Sequence, residues 1–137
     1  MAKDHFLMEL SYISKSVRPL VILELVQLFD AAYKFNQAHG VTGVLFYENQ
    51  HFAQIIEGRN TTISSLWKRI QVDPRHIITR ELTCQRIETR SFPHWSMRFY
   101  GAHNLTKYRT QLRDNLDGLP EHDDQLLTLM RSIAKIG

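Results

Sequence analysis

The chain has one cysteine, Cys84. No intramolecular disulfide can form, and neither a CxxC nor the Cys/His spacing of a zinc site is present. Disulfide-stapled folds and structural metal sites are therefore excluded, and the reducing cytosol is the expected compartment. Long apolar runs are also missing. The most apolar stretch, Leu20–Phe29, is interrupted by Glu24 and Gln27, and a bilayer-spanning helix needs about 20 apolar residues. The start, Met1-Ala-Lys-Asp-His5, lacks the apolar run of a signal peptide. Membrane insertion and secretion are thus not expected. No internal repeat, low-complexity tract, P-loop, metal cluster or nucleophile–base pairing is visible, so the sequence gives an enzyme little support.

What remains is a chain of 137 residues, 43% hydrophobic and 23% charged. That is the size and composition of one globular domain, large enough to bury a core without staples. The formal charge is +3 and the pI about 9.2. Lys and Arg outnumber Asp and Glu in Leu66–Arg98, and the balance reverses in Gln111–Asp124. This asymmetry suits an anionic ligand near the middle, complementary self-association, or simply a solvated surface. It is too weak to argue for nucleic acid by itself.

His5–Ile13 alternates, with Phe6, Met8, Leu10 and Tyr12 on one face, and predicts a strand. After the break at Ser16-Val-Arg-Pro19 the period becomes 3.6. Val21, Leu25, Leu28, Phe29, Ala32 and Asn36 form one helical stripe that closes at Gly40. Val41–Tyr47 and Gln50–Ile56 predict a hairpin around Glu48-Asn49, the second strand ending at Gly58. Asn60, Thr61 and Thr62 are candidate N-caps for a second helix carrying Ile63, Leu66, Trp67 and Ile70, stopped by Asp73-Pro74. Ile77–Thr89 predicts a longer strand. Trp95, Met97 and Phe99 alternate with Ser96, Arg98 and Tyr100 and predict a last one, with Trp95 and Met97 on the same face. From about Thr106 the tail is helical in character, broken near Gly118-Leu-Pro120, with a second helix over Asp123–Lys135. The order β-α-β-β-α-β-β plus a C-terminal helical pair predicts an α+β, ferredoxin-like sheet with two helices on one face. That fold alone does not fix a function.

Four polar residues interrupt apolar faces. Asn36 ends the first helical stripe, Tyr12 ends the inward face of the first strand, and Asp73 lies one helical step beyond Ile70. Gln54 sits between Phe52 and Ile56. Each has an ordinary structural explanation, although an amide buried in mid-strand costs about 1–3 kcal/mol unless paired. Together they converge, because the strands of Tyr12 and Gln54 are expected neighbours beneath the two helices. This describes an apolar pocket with a few placed polar groups. Leu28 and Ile70 could sandwich a flat heterocycle, with Lys34, Arg69 and Arg75 available for phosphates.

The runs Ser11-Tyr-Ile-Ser14, Asn36-Gln-Ala-His-Gly-Val-Thr-Gly-Val-Leu-Phe-Tyr47, Phe52-Ala-Gln-Ile-Ile-Glu-Gly58, Ile70-Gln-Val-Asp-Pro-Arg-His76 and Phe92-Pro-His-Trp-Ser-Met97 resemble the BLUF family of blue-light sensors using FAD, short stand-alone type. The resemblance covers residues 4–100. It implies a flavin (FAD, with FMN or riboflavin as alternatives) between the two helices, and a photoreceptor rather than an enzyme. Tyr12 matches the electron and proton donor, Gln54 the relay beside the ring, and Asn36 the residue that holds the ring's carbonyl and imide edge. Asp73, Arg75 and His76 match polar residues on the pyrimidine and ribityl side. Trp95 and Met97 match the pair that passes on the signal. Cys84 lies in no flavin-adduct motif and reads as a buried structural thiol.

On this reading residues 1–101 form the photosensory domain. Residues 102–137 form a helical extension in which Leu105, Leu112, Leu116, Leu126, Leu127, Leu129, Met130, Ile133 and Ile136 pack on the sheet's other face. The expected partners are the flavin, a separate downstream signalling protein and further copies of the chain; no nucleic acid, membrane or metal is expected. A ferredoxin-like oligomerisation or ligand-binding module without photochemistry is the alternative. RNA binding is disfavoured because the aromatic strand motif it needs is absent.

Overall fold

The computed structural model describes residues 5–101, 109–116 and 120–136. Strand β1 (Leu7–Ser16) lies inside the sheet. It pairs antiparallel with β3 (His51–Arg59) on one side and β4 (His76–Arg86) on the other. Strand β2 (Thr42–Glu48) lies antiparallel to β3, and the short β5 (Arg98–Tyr100) runs parallel to β2. The sheet order is β4-β1-β3-β2-β5. The β2–β3 turn falls on Asn49 and Gln50, whose φ values of 52° and 63° give the left-handed geometry of a tight hairpin. A Cβ on Gly43 would lie 2.1 Å from the Ile55 carbonyl oxygen, so only glycine lets β2 approach β3 there.

Helix α1 (Ile22–His39) ends on Gly40 at φ 67°, the left-handed cap that glycine adopts without penalty. Helix α2 (Asn60–Val72) ends at Asp73. Both cover one face of the sheet, packing Leu25, Leu28, Phe29, Ala32, Leu66, Trp67 and Ile70 against buried Leu10, Tyr12, Leu45, Phe52 and Ile56. The opposite face carries α3 (Arg109–Asn115), a 3₁₀ turn (Pro120–His122) and α4 (Asp123–Ile136). There Leu112, Leu116, Leu126, Leu127, Met130 and Ile133 bury themselves against Ile13, Val44, Phe46, Ala53 and Ile55, with Leu129 packed at the edge. This is the α+β plan with a C-terminal helical pair read from the sequence. Leu105 and the side chain of Ile136 lie outside the described residues.

Six local expectations are corrected. Val21 is not on the helical stripe: it is the residue before the helix and is 62% exposed. The N-cap of α2 is Arg59 rather than Asn60, Thr61 or Thr62. Asn60 Oδ1 instead accepts the Phe6 N–H at 3.1 Å, and Asn60 N–H donates to Phe6 O, so the side chain pins the entry to β1. The strand at Ile77 starts at His76 and stops at Arg86. Cys84 is exposed, not buried, because β4 is an edge strand. Only Arg98–Tyr100 of the last segment is strand. Trp95 packs on the α3/α4 side of the sheet and Met97 on the α1/α2 side, so they do not share a face.

Candidate functional site

Register creates the site. Tyr12 and Gln54 are directly opposed on β1 and β3, and strand alternation puts both under the groove between α1 and α2. Tyr12 Oη donates to Gln54 Oε1 at 2.5 Å, and both residues are almost fully buried. Burial, chiefly, and the charge of Asp73 hold the Tyr12 phenol above its ordinary range. It therefore keeps its proton in the resting protein and can donate it. With Oε1 engaged by Tyr12, the Nε2 end of Gln54 is the donor this side chain has left to offer.

Above this floor is a cleft of about 220 Å³, lined by Tyr12, Leu28, Asn36, Gln54, Arg69, Ile70, Asp73, Arg75 and His76. These are the cofactor positions read from the sequence. Lys34 is not in the lining and pairs with Asp30 at 3.0 Å. Sequence reading missed Ala31, Ala32, Phe35, Leu45, Phe52 and Leu66 as wall residues. The Ala31-Ala32 pair was the available signal, since small side chains leave room for a ligand. Phe35 stacks on His39 with centroids 4.1 Å apart and carries the Arg69 guanidinium 4.8 Å above its ring.

Asn36 is fixed from outside the cleft. Its Nδ2 donates to Ser96 O at 2.6 Å, which leaves its Oδ1 as an acceptor. His76 spends both ring nitrogens on the protein: Nε2–H donates to Ile70 O at 2.7 Å, and in the neutral ring Nδ1 accepts from Ser14 Oγ at 2.7 Å. It thus walls the cleft without offering a nitrogen. Arg75 forks onto Asp73, with Nε to Oδ1 at 2.9 Å and Nη2 to Oδ2 at 2.5 Å. Hydrogen bonds from Arg75 hold the Asp73 carboxyl below the usual carboxylate range. Trp95 and Met97 do not line the cleft. Met97 is buried in the cluster that contains Tyr12. Trp95 stacks on Phe92 at 5.9 Å and lies 4.6 Å under the Arg98 guanidinium.

Chemically, this is a slot with apolar walls from Leu28, Leu66 and Ile70 and an open donor and acceptor at its polar end. Its volume is below the roughly 300–1,000 Å³ of sites that engulf a whole ligand. Its apolar walls and polar end fit a flat ring with a polar edge, which suits the ring of a flavin. Fold and site together define a small-ligand-binding domain of the α+β class.

Comparison with known proteins identifies the family. The chain belongs to the BLUF family, "Sensors of blue-light using FAD", whose model matches residues 7–98. It is similar to the dark-state structure of the BLUF protein BlrB, with a TM-score of 0.79 and 30% identity over 95% of this chain and 97% of that one. It is also similar to Klebsiella pneumoniae BlrP1 with FMN and cyclic diGMP (TM-score 0.69, 31% identity, 96% of this chain and 36% of that one). Among curated proteins, a photoactivated adenylate cyclase subunit beta from Euglena longa is 33% identical over 95 residues, 69% of this chain. The match spans only 11% of that relative's length. The chain is thus a flavin-binding blue-light sensor of a family that uses FAD. Among the described residues no helix is long and apolar enough to cross a membrane.

Proposed function

We propose that the flavin ring sits in the α1–α2 cleft and that Tyr12 and Gln54 are its light-operated switch. The carrying observation is the buried 2.5 Å bond from Tyr12 Oη to Gln54 Oε1 at the cleft floor. When bound, a flavin supplies a blue-absorbing ring that takes up an electron and a proton on excitation. Tyr12 is the donor of both. Its proton leaves along the bond to Gln54 Oε1, and the Nε2 end of Gln54 gives a proton up on the cleft side. With Tyr12 back in its protonated resting form, the Gln54 amide would be left rotated or tautomerised. An amide has distinct donor and acceptor ends, and a buried site must satisfy both, so the two arrangements are discrete states. Asn36, held by Ser96, offers Oδ1 to the ring's N–H edge. Asp73 and Arg75 close the rim as a neutral pair, and Arg69 is the cation nearest an emerging phosphate tail. Leu28 and Ile70, which line the cleft, would hold the ring's faces. Because the residues assigned here would act on the ring, FAD, FMN or riboflavin would suffice for photochemistry.

Residues 1–101 act as the sensor and 102–137 as the extension through which it reports, with Trp95 and Met97 linking them from opposite faces of the sheet. The domain performs no catalytic turnover. It signals in the cytoplasm to a separate protein, as a homo-oligomer. The test is a variant pair, Tyr12→Phe and Gln54→Ala, loaded with flavin. Each should bind the ring and lose the reversible red shift under blue light. A full shift in either variant overturns the switch.

A further inference from the structure

Glu57 lies three residues beyond Gln54 on β3, on the opposite face, and is fully buried. Its Oε2 accepts the Ser91 N–H at 2.7 Å, and its Oε1 accepts the Phe92 N–H at 2.9 Å and the Thr42 hydroxyl at 3.3 Å. Arg90 reinforces the same corner. Its guanidinium donates to Glu57 O at 3.1 Å, Thr42 Oγ1 at 2.8 Å and Gly40 O at 2.8 Å. Residues 91–97 form no strand of their own, so these bonds do the work of a ladder. Downstream, Trp95 O accepts the Gly43 N–H at 3.0 Å and Ser96 O holds Asn36 in the cleft. Met97 then enters the cluster that contains Tyr12.

We propose that Glu57 is a positioning residue for signal relay: it anchors the 91–97 segment to the strand that carries Gln54, so that the cleft and the segment change together. This rests on the switch reading of Tyr12 and Gln54. The carboxylate is required chemically. Two peptide N–H groups and a hydroxyl converge on one side chain, and only a group that accepts at both oxygens satisfies them. A glutamine would point an NH₂ at a peptide N–H and leave a buried donor unpaired.

The test uses the full chain loaded with flavin, comparing wild type with Glu57→Gln. Two quantities are read: the light-induced absorption shift, and the light-minus-dark difference in amide hydrogen exchange over residues 90–100. In Glu57→Gln the absorption shift should stay at the wild-type size while the exchange difference falls at least fivefold. Glu57→Asp, which keeps both oxygens but reaches one N–H less well, should restore part of it, and is read in place of Glu57→Gln if the latter does not load flavin. Thr42→Val removes the 3.3 Å bond to Glu57 and the Arg90 bond to Thr42 Oγ1 but leaves both peptide N–H bonds to the carboxylate, and should keep the wild-type difference. A merely stabilising Glu57 would lower the melting temperature yet leave the exchange difference intact in Glu57→Gln and Glu57→Asp, and that result overturns the proposal. Loss of the shift in wild type overturns instead the switch on which it rests.

Discussion

The two faces of one sheet are built differently. Under α3 and α4 the side chains of Phe46, Ile55, Leu112, Leu126 and Met130 are fully buried, and charged groups are paired. Glu9 pairs with Arg131, Glu48 with Arg113 at 2.9 Å, and Asp123 with Arg80 at 2.8 Å. Under α1 and α2 most helix residues are only partly buried, and Gln54 and Asn36 each keep one amide atom for something other than the protein. A densely filled face is a core, even with the Tyr100 hydroxyl left unpaired within it; a loosely filled face lined by polar side chains is a candidate site. On the proposed reading, the second face holds the flavin and the first braces it.

Substitutions on each face should separate stability from function. The largest stability loss is expected for Met130→Ala, which opens a cavity in the α4 core and should cost about 2–5 kcal/mol in chemical denaturation with little direct effect on the cleft. Arg131→Ala strands the buried Glu9 carboxylate, leaving Gln85 as its remaining side-chain partner. It should cost about 1–3 kcal/mol. On the other face, Leu28→Ala removes a half-buried wall and should cost about 1 kcal/mol of stability. It should weaken flavin binding roughly tenfold, measured by titration of the apoprotein. If Leu28→Ala destabilised the fold as much as Met130→Ala, the contrast between the faces would fail. The smallest effect is in acid. Because Arg75 depresses the Asp73 pKa in the folded protein, the pair's contribution is present above the unfolded value near 3.9 and is lost as pH falls through the lower folded value. Asp73→Asn should therefore flatten the stability–pH curve only below about pH 4.

Much of this was legible in the sequence for a physical reason. Period-2 and period-3.6 patterns report which side chains face inward, and a polar residue that breaks such a pattern, as Gln54 does, stands out. Patterns fail where no regular element exists. Trp95 and Met97 look like alternating strand residues, but their segment is held by Glu57 and Arg90 rather than by a ladder, so alternation says nothing about its faces. The role of Glu57 was hidden because its partners are 34 and 35 positions away in the chain. Glu9 was hidden likewise, with Arg131 122 positions away. Cys84 misled because a central and an edge strand share a pattern but not a burial. Asn60 misled because its side chain serves β1 instead of its own helix.

The most direct measurement is an absorption spectrum of the flavin-loaded chain, in darkness, after blue light, and again after dark recovery. The account predicts a red shift on illumination that reverts in the dark and is absent in Gln54→Ala. A bound flavin whose spectrum does not move, or one that bleaches without recovery, would contradict it.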